Sequence, residues 1–380
     1  MSAETARPAP VTAADVSALV RRDIVQMQPY TPILPFEVLS EQLDRPADQI
    51  IKLDANENPY GPSPRALAAL REIGARIPIY PDPESRALRA ALARYLGIDM
   101  AHILIGAGAD ELIDLIIRLV IRPGDTIIDC PPTFGMYAFD AALSGGQVVA
   151  VPRRPDFSLD LPSIERAARG SQARLLFLAS PNNPDGGLLP AADLDRLLKL
   201  PLIVVLDEAY IDFSGAESAI SRVPQAPNLI VLRTFSKWAG LAGLRVGWGV
   251  FPLPLMEHLW KIKQPYNLNV AADAAARASL EDVETLQASA ARIAAERDRL
   301  IEALDAVPYL EPYPSRGNFV LCRVIGMDAQ GLKARLAAEF GILVRHFNKP
   351  GLDDHIRITA GRPEHTDALL AALHAIQERG

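Results

Sequence analysis

The chain has 380 residues, 49% of them hydrophobic and 22% charged, with a net charge of −7. This is the composition of a globular chain with room for two domains, and its acidity argues against nucleic acid or an anionic membrane as a partner. Two cysteines, Cys130 and Cys322, make no disulfide framework and fit a reducing cytoplasm.

No apolar run approaches the ~18 residues that a membrane span needs. Met1-Ser2-Ala3-Glu4 lacks the basic start of a signal peptide. Residues 1–11 read as disordered, and Val16, Leu19, Val20 and Ile24 give helical spacing over 12–27. Pro29, Pro32 and Pro35 then favour an extended arm, so 1–50 is set apart as an N-terminal arm. Residues 50–53 read as a strand entering the turn-rich loop Asp54-Ala55-Asn56-Glu57-Asn58-Pro59-Tyr60-Gly61-Pro62. Helices are expected near 63–74 and 84–96, separated by Ile79-Tyr80-Pro81-Asp82-Pro83.

From about residue 97 the pattern is strand, turn, helix, repeated. Apolar runs fall at 103–105, 126–128, 148–151, 175–178, 203–206, 229–232 and 246–250. Seven such runs alternating with helical segments indicate an α/β fold, with a mainly parallel seven-stranded sheet covered by helices on both faces. Residues 252–306 read as helical throughout. After Pro308 come strands at 318–324, 342–344 and 356–359 and helices at 328–340 and 364–377, the pattern of a smaller α+β domain. The expected division is therefore 51–290 for the large domain and 291–380 for the small one.

Ligands of such sheets bind at the carboxyl ends of the strands, so the residues just after each run carry the chemistry. Gly106-Ala107-Gly108-Ala109-Asp110-Glu111 opens a helix directly after a strand, where free N–H groups suit a phosphate. A dinucleotide site is disfavoured there, because Glu111 stands where a third glycine is wanted. Ser180-Pro181-Asn182-Asn183-Pro184 makes a turn that can present the Asn183 amide. Asp207-Glu208-Ala209-Tyr210 closes an apolar run with a carboxylate that is costly to bury without a cationic partner. Metal binding of the Walker B kind also fits that pattern, but the chain has no phosphate-binding loop of the matching type. Ser236-Lys237, with Arg245 eight positions on, pairs an amine capable of forming imines with groups that suit a phosphate. The six histidines are scattered and no metal-ligand spacing emerges.

With these stretches in order, each at a strand end, the chain resembles the fold-type I pyridoxal phosphate (PLP)-dependent aminotransferases from about Pro29 to Arg362. The loop Asn56-Glu57-Asn58-Pro59-Tyr60-Gly61-Pro62 and the stretch Pro131-Pro132-Thr133-Phe134-Gly135-Met136-Tyr137 favour the branch acting on histidinol phosphate. The resemblance implies that Lys237 holds the cofactor as an imine and shuttles the substrate's proton. Asp207 then pairs with the pyridine nitrogen, Tyr210 and Asn183 face the ring oxygen, and Phe134 stacks on the ring. Gly108, Ala109, Ser236 and Arg245 hold the cofactor's phosphate, with Tyr80 reaching in from the other subunit of a homodimer, and Asp110 is a further cofactor-binding residue. Arg357 grips an α-carboxylate, while Tyr30, Asn58, Tyr266 and Arg345 bind substrate, with Tyr30, Tyr266 and Arg345 receiving its phosphate. Two departures stand out: Asp185 where threonine is usual, and Phe134 without a hydroxyl.

The expected reaction is amino transfer between histidinol phosphate and 2-oxoglutarate, giving glutamate. An aromatic amino-acid aminotransferase, a phosphothreonine decarboxylase and a PLP-binding regulator are the alternatives. The regulator is disfavoured because residues 1–50 are too short and proline-rich for a DNA-binding module.

Overall fold

The computed structural model describes residues 13–27 and 34–379. The described residues fall into two compact units, 13–27 and 34–379. In the first, the expected single helix is two short ones, Ala13–Ala18 and Arg22–Gln26. Arg21 between them adopts ψ 132°, outside the helical region, and so ends the hydrogen-bond ladder.

The second unit contains two sheets. Its strands are β1 (Ile51–Leu53), β2 (Ile103–Gly106), β3 (Thr126–Asp129), β4 (Gln147–Ala150), β5 (Leu175–Ala179) and β6 (Ile203–Asp207). They continue with β7 (Leu229–Thr234), β8 (Gly247–Val250), β9 (Leu310–Pro312), β10 (Phe319–Val324), β11 (Ile342–His346) and β12 (His355–Thr359). The larger sheet has the order β2-β8-β7-β6-β5-β3-β4, with β8 antiparallel to both neighbours and the other pairs parallel. All seven expected strands are present.

Successive residues on these strands face opposite cores, as a two-residue period demands. Leu176, Leu178, Val204, Leu206, Leu229 and Val231 join one apolar cluster, while Leu175, Phe177, Val205, Ile230 and Leu232 join another. The first is completed by Ile164, Leu194 and Ala272, the second by Leu112, Ile116, Tyr137 and Leu259, all on helices. Both faces are therefore dry, which explains the unbroken apolar runs.

The smaller sheet has the order β1-β11-β12-β10-β9. Here β1 pairs in parallel with β11, in the sheet formed by the C-terminal strands. Its Leu53 packs with Val344, Ile356 and Leu369 in their core. The short edge strand β9 was also not expected. A run of three residues ending in proline carries too little periodicity to be read.

The arm is not extended beyond Pro35, since a helix spans Phe36–Leu43 and buries Leu39 against Ile50 and Leu343. The helical stretch after 252 is broken between Leu253–Ile262 and Val270–Leu280. Pro265 lacks an N–H, and Asn269 caps the second helix by accepting from the Ala272 N–H at 2.8 Å. The next helix, Val283–Asp305, is about 35 Å long at 1.5 Å per residue. Its first half (Leu286, Ala290, Ile293) packs in the large core and its second half (Leu300, Leu304) in the small one. Between them the buried Arg297 donates to the carbonyls of Phe213 and Gly317 at 3.0 and 3.1 Å.

Candidate active site

The carboxyl ends of β5, β6 and β7 meet at a cavity of about 160 Å³ lined by Ala109, Asp110, Phe134, Tyr137, Asn183, Asp207, Tyr210, Ser236, Lys237 and Arg245, among others. A larger cavity of about 480 Å³ lies beyond Ala179 and Asp185. It holds none of the predicted residues and no lysine, so the smaller one is the chemically equipped site.

Asp207 ends β6 and is buried. Its Oδ1 accepts from the Ala209 N–H at 3.0 Å and its Oδ2 from the Tyr137 hydroxyl at 2.7 Å. Burial pushes its carboxyl up to about 6, against the pull of these bonds and of Lys237. A cation is the partner that such a carboxylate lacks. Tyr137 lies three residues beyond Phe134, in the first turn of the helix Met136–Leu143, and stacks on Phe177, with ring centres 5.0 Å apart.

On one side of the cavity is an anion cradle. Gly108 has φ +81°, and a Cβ there would meet Arg245 Nη2 at 2.4 Å, so only glycine allows the guanidinium to close over the helix start. Glu111 reaches back to accept from the Ala107 N–H at 2.5 Å and from Asn267 Nδ2 at 2.7 Å. Arg245 donates to Ser236 Oγ at 3.3 Å and to Asp110 Oδ2 at 2.8 Å. Thr234 Oγ1 in turn accepts from the Ser236 N–H and donates to its hydroxyl, at 3.0 and 2.9 Å.

On the other side, Lys237 Nζ donates to the Ala55 carbonyl at 3.3 Å and lies 5.8 Å from the centre of the Tyr210 ring. The Tyr210 hydroxyl accepts from Asn56 Nδ2 at 3.1 Å. Asn56, at φ +53°, is fastened to the small sheet by Thr359 and Asn318. The site is thus closed by the loop after β1.

Arg357 on β12 donates to Asn183 Oδ1 at 2.5 Å and to the Asp54 carbonyl at 2.7 Å. Arg345 lies opposite it on β11, and the Phe347 ring sits 6.0 Å from Arg345 and 5.7 Å from Arg357.

The family model described as aminotransferase class I and II matches residues 48–373. The chain is 54% identical to the histidinol-phosphate aminotransferase of Roseiflexus castenholzii, over 96% of this chain and 99% of the relative. It is 53% identical to the chloroplastic histidinol-phosphate aminotransferase of Nicotiana plumbaginifolia, over 94% and 86%. Among solved structures, histidinol-phosphate aminotransferase from Sinorhizobium meliloti, in complex with pyridoxal-5'-phosphate, superposes with a TM-score of 0.86 at 32% identity, covering 96% of this chain and 99% of that one. The chain belongs to the class I and II aminotransferases.

The residues of this aminotransferase fit a phosphorylated pyridine aldehyde. A buried carboxylate in want of a cation, a glycine-lined cradle under Arg245 and a lysine amine border one cavity. Of the predicted cofactor residues, all except Gly108 and Tyr80 line that cavity, and Gly108 lies under the Arg245 guanidinium.

Of the predicted substrate residues, Arg357 reaches the wall through Asn183, while Arg345, Asn58 and Tyr266 stand away from it. Asn58 serves its own loop, accepting from the Tyr60 N–H and donating to the Trp238 carbonyl, each at 2.9 Å. Tyr266 (φ +58°) stacks on Tyr80 of the same chain with ring centres 4.7 Å apart, and Tyr80 is 79% exposed. Tyr30 falls outside the described residues.

Sequence reasoning missed Asn56 and the role of Tyr137. Both stood in stretches already singled out, but nothing local names their partners. Asp185, the departure from threonine, is buried and accepts from the Gly187 N–H at 2.8 Å and from Asn182. It fixes the turn that presents Asn183.

Proposed function

We propose that this aminotransferase moves the amino group between histidinol phosphate and 2-oxoglutarate, in histidine biosynthesis, with pyridoxal phosphate as its cofactor. The observation that carries the reading is 53–54% identity, over 94–96% of the chain, with bacterial and plant histidinol-phosphate aminotransferases. Bound in the cavity, the cofactor supplies an electron sink for a carbanion at the amine-bearing carbon.

In this reading Lys237 Nζ carries the cofactor between turnovers and then takes the proton from that carbon. Asp207 holds the ring nitrogen protonated, and Tyr210 and Asn183 orient the ring oxygen. Phe134 covers the ring face, Gly108, Ala109, Ser236 and Arg245 hold the phosphate, and Asp110 adds to the cofactor site through its bond to Arg245. Arg357 takes the α-carboxylate of glutamate. Arg345, Tyr30, Asn58 and Tyr266 form the group that receives histidinol phosphate.

The working unit is a homodimer in which Tyr80 completes the neighbouring site. Ile77, Ile79 and Tyr80, each at least 66% exposed, support a subunit contact there. We assign the enzyme to the cytoplasm, in keeping with two buried, unpaired cysteines. Among the described residues no helix is long and apolar enough to cross a membrane.

The test is an assay of the purified protein with histidinol phosphate, phenylalanine and phosphothreonine. Transfer to 2-oxoglutarate is expected to be most efficient from histidinol phosphate, and Lys237→Ala should lose both turnover and borohydride-trapped cofactor. Preference for phenylalanine, or carbon dioxide release from phosphothreonine, would overturn the substrate assignment.

A further inference from the structure

Tyr137 is fully buried, and its hydroxyl donates to Asp207 Oδ2 at 2.7 Å. The ring is clamped: stacked on Phe177 with centres 5.0 Å apart, and edge-on to Phe134 at 5.6 Å. Core packing alone would be served by phenylalanine. A phenol placed in a dry core needs an acceptor, and the one it has is the carboxylate at the floor of the site.

We propose that Tyr137 is a positioning residue for Asp207, holding Oδ2 in place and keeping the carboxylate ionised for the protonated ring nitrogen of the cofactor. This rests on the assignment of pyridoxal phosphate to the cavity.

A donor to the charged form of a carboxyl favours that form. Burial beside Asp207 holds the Tyr137 phenol well above its ordinary range, so it remains a donor at every working pH. The other groups facing the pair do not replace it. Asp110, from the helix Gly108–Val120, disfavours the ionised carboxyl, as burial does. Lys237 favours it through charge, and Ala209 through its N–H. Asp129, when ionised, adds negative potential at the phenol and keeps it protonated. With Tyr137 removed, one fixed donor is lost and burial is unchanged, so Asp207 takes up its proton at higher pH.

The test compares the full-length wild type with Tyr137→Phe, each stripped of cofactor. Affinities for pyridoxal phosphate and for its 1-deaza analogue, which lacks the ring nitrogen, are measured from pH 5 to 8. For pyridoxal phosphate, the acid limb of binding should move up by about one pH unit in the variant, with affinity falling about fivefold near pH 6 and about tenfold near pH 5. Affinity for the 1-deaza analogue should stay within about twofold, a difference of under half a kcal/mol.

Equal weakening for both compounds would make Tyr137 a packing residue and overturn the proposal, as would an unmoved acid limb. Infrared spectra of the same cofactor-free proteins give an independent readout. The carboxylic acid band missing from Asp207→Asn should titrate at higher pH in Tyr137→Phe. If that variant does not fold, 3-fluorotyrosine at 137, a stronger donor, should move the band to lower pH, and no movement overturns the idea. Failure of the wild type to bind pyridoxal phosphate would instead sink the cofactor assignment, leaving the infrared comparison to judge the Tyr137–Asp207 pair.

Discussion

Arg357 Nη1 donates to Asn183 Oδ1 at 2.5 Å, linking the smaller sheet to the turn after β5. The guanidinium is held there by a second bond, to the Asp54 carbonyl, and is buried. Asn183 therefore aims the arginine as well as facing the cavity. A hydrogen bond to a charged group contributes about 1.5–3 kcal/mol. Asn183→Ala should raise the KM for glutamate by roughly tenfold or more. Histidinol phosphate carries no carboxylate and should be less affected. Steady-state kinetics with each donor check this, and an equal rise for both would assign Asn183 to the cofactor alone.

Asp207 predicts an opposition between stability and function. Its folded carboxyl titrates at about 6, against about 3.9 for an ordinary aspartate. Between these values the folded chain binds more protons than the unfolded one, so this group's contribution falls as pH rises and stays unfavourable above 6. Cofactor-free Asp207→Asn should therefore be more stable than wild type at pH 8, by up to about 3 kcal/mol. The two should converge near pH 4. The same variant should lose most transaminase activity, because an amide offers the ring nitrogen no charge. Thermal melts at the two pH values check the sign, and a variant less stable at pH 8 would contradict it.

Arg345 and Arg357 are cross-strand partners on β11 and β12, and like charges placed directly opposite are unfavourable. An arrangement of this kind is retained where the charges meet anionic ligands. Arg345→Ala should leave stability unchanged or slightly raised. Its turnover efficiency with histidinol phosphate should fall about a hundredfold, as expected for a lost charge-assisted contact of roughly 2–5 kcal/mol. Phenylalanine turnover should change little. If both substrates suffer alike, Arg345 belongs to the fold or to the carboxylate site.

Most of the fold was legible before any coordinates. The strands of the large sheet other than the exposed edge strand β4 are buried on both faces, so their residues form unbroken apolar runs that a single sequence displays. The site was legible in part for a related reason. Lys237, Asp207 and Arg245 are polar residues at or beyond the ends of such runs, where burial without a partner is costly. Chemistry at a strand end is therefore written locally.

Tertiary structure alone decided which of these groups touch. Tyr137 and Asp207 are 70 positions apart, and Asn56 and Tyr210 are 154 apart. No local period encodes either pairing. β1 precedes the strands of the large sheet in sequence, yet it joins the small sheet because β11 offers it a parallel edge. The Tyr80–Tyr266 stack likewise depends on a backbone turn at φ +58°. Residue type and periodicity determined the elements and the kind of chemistry. Packing of distant segments decided the partner of each side chain, because a hydrogen bond or stacked ring depends on distance in space and leaves no repeating mark along the chain.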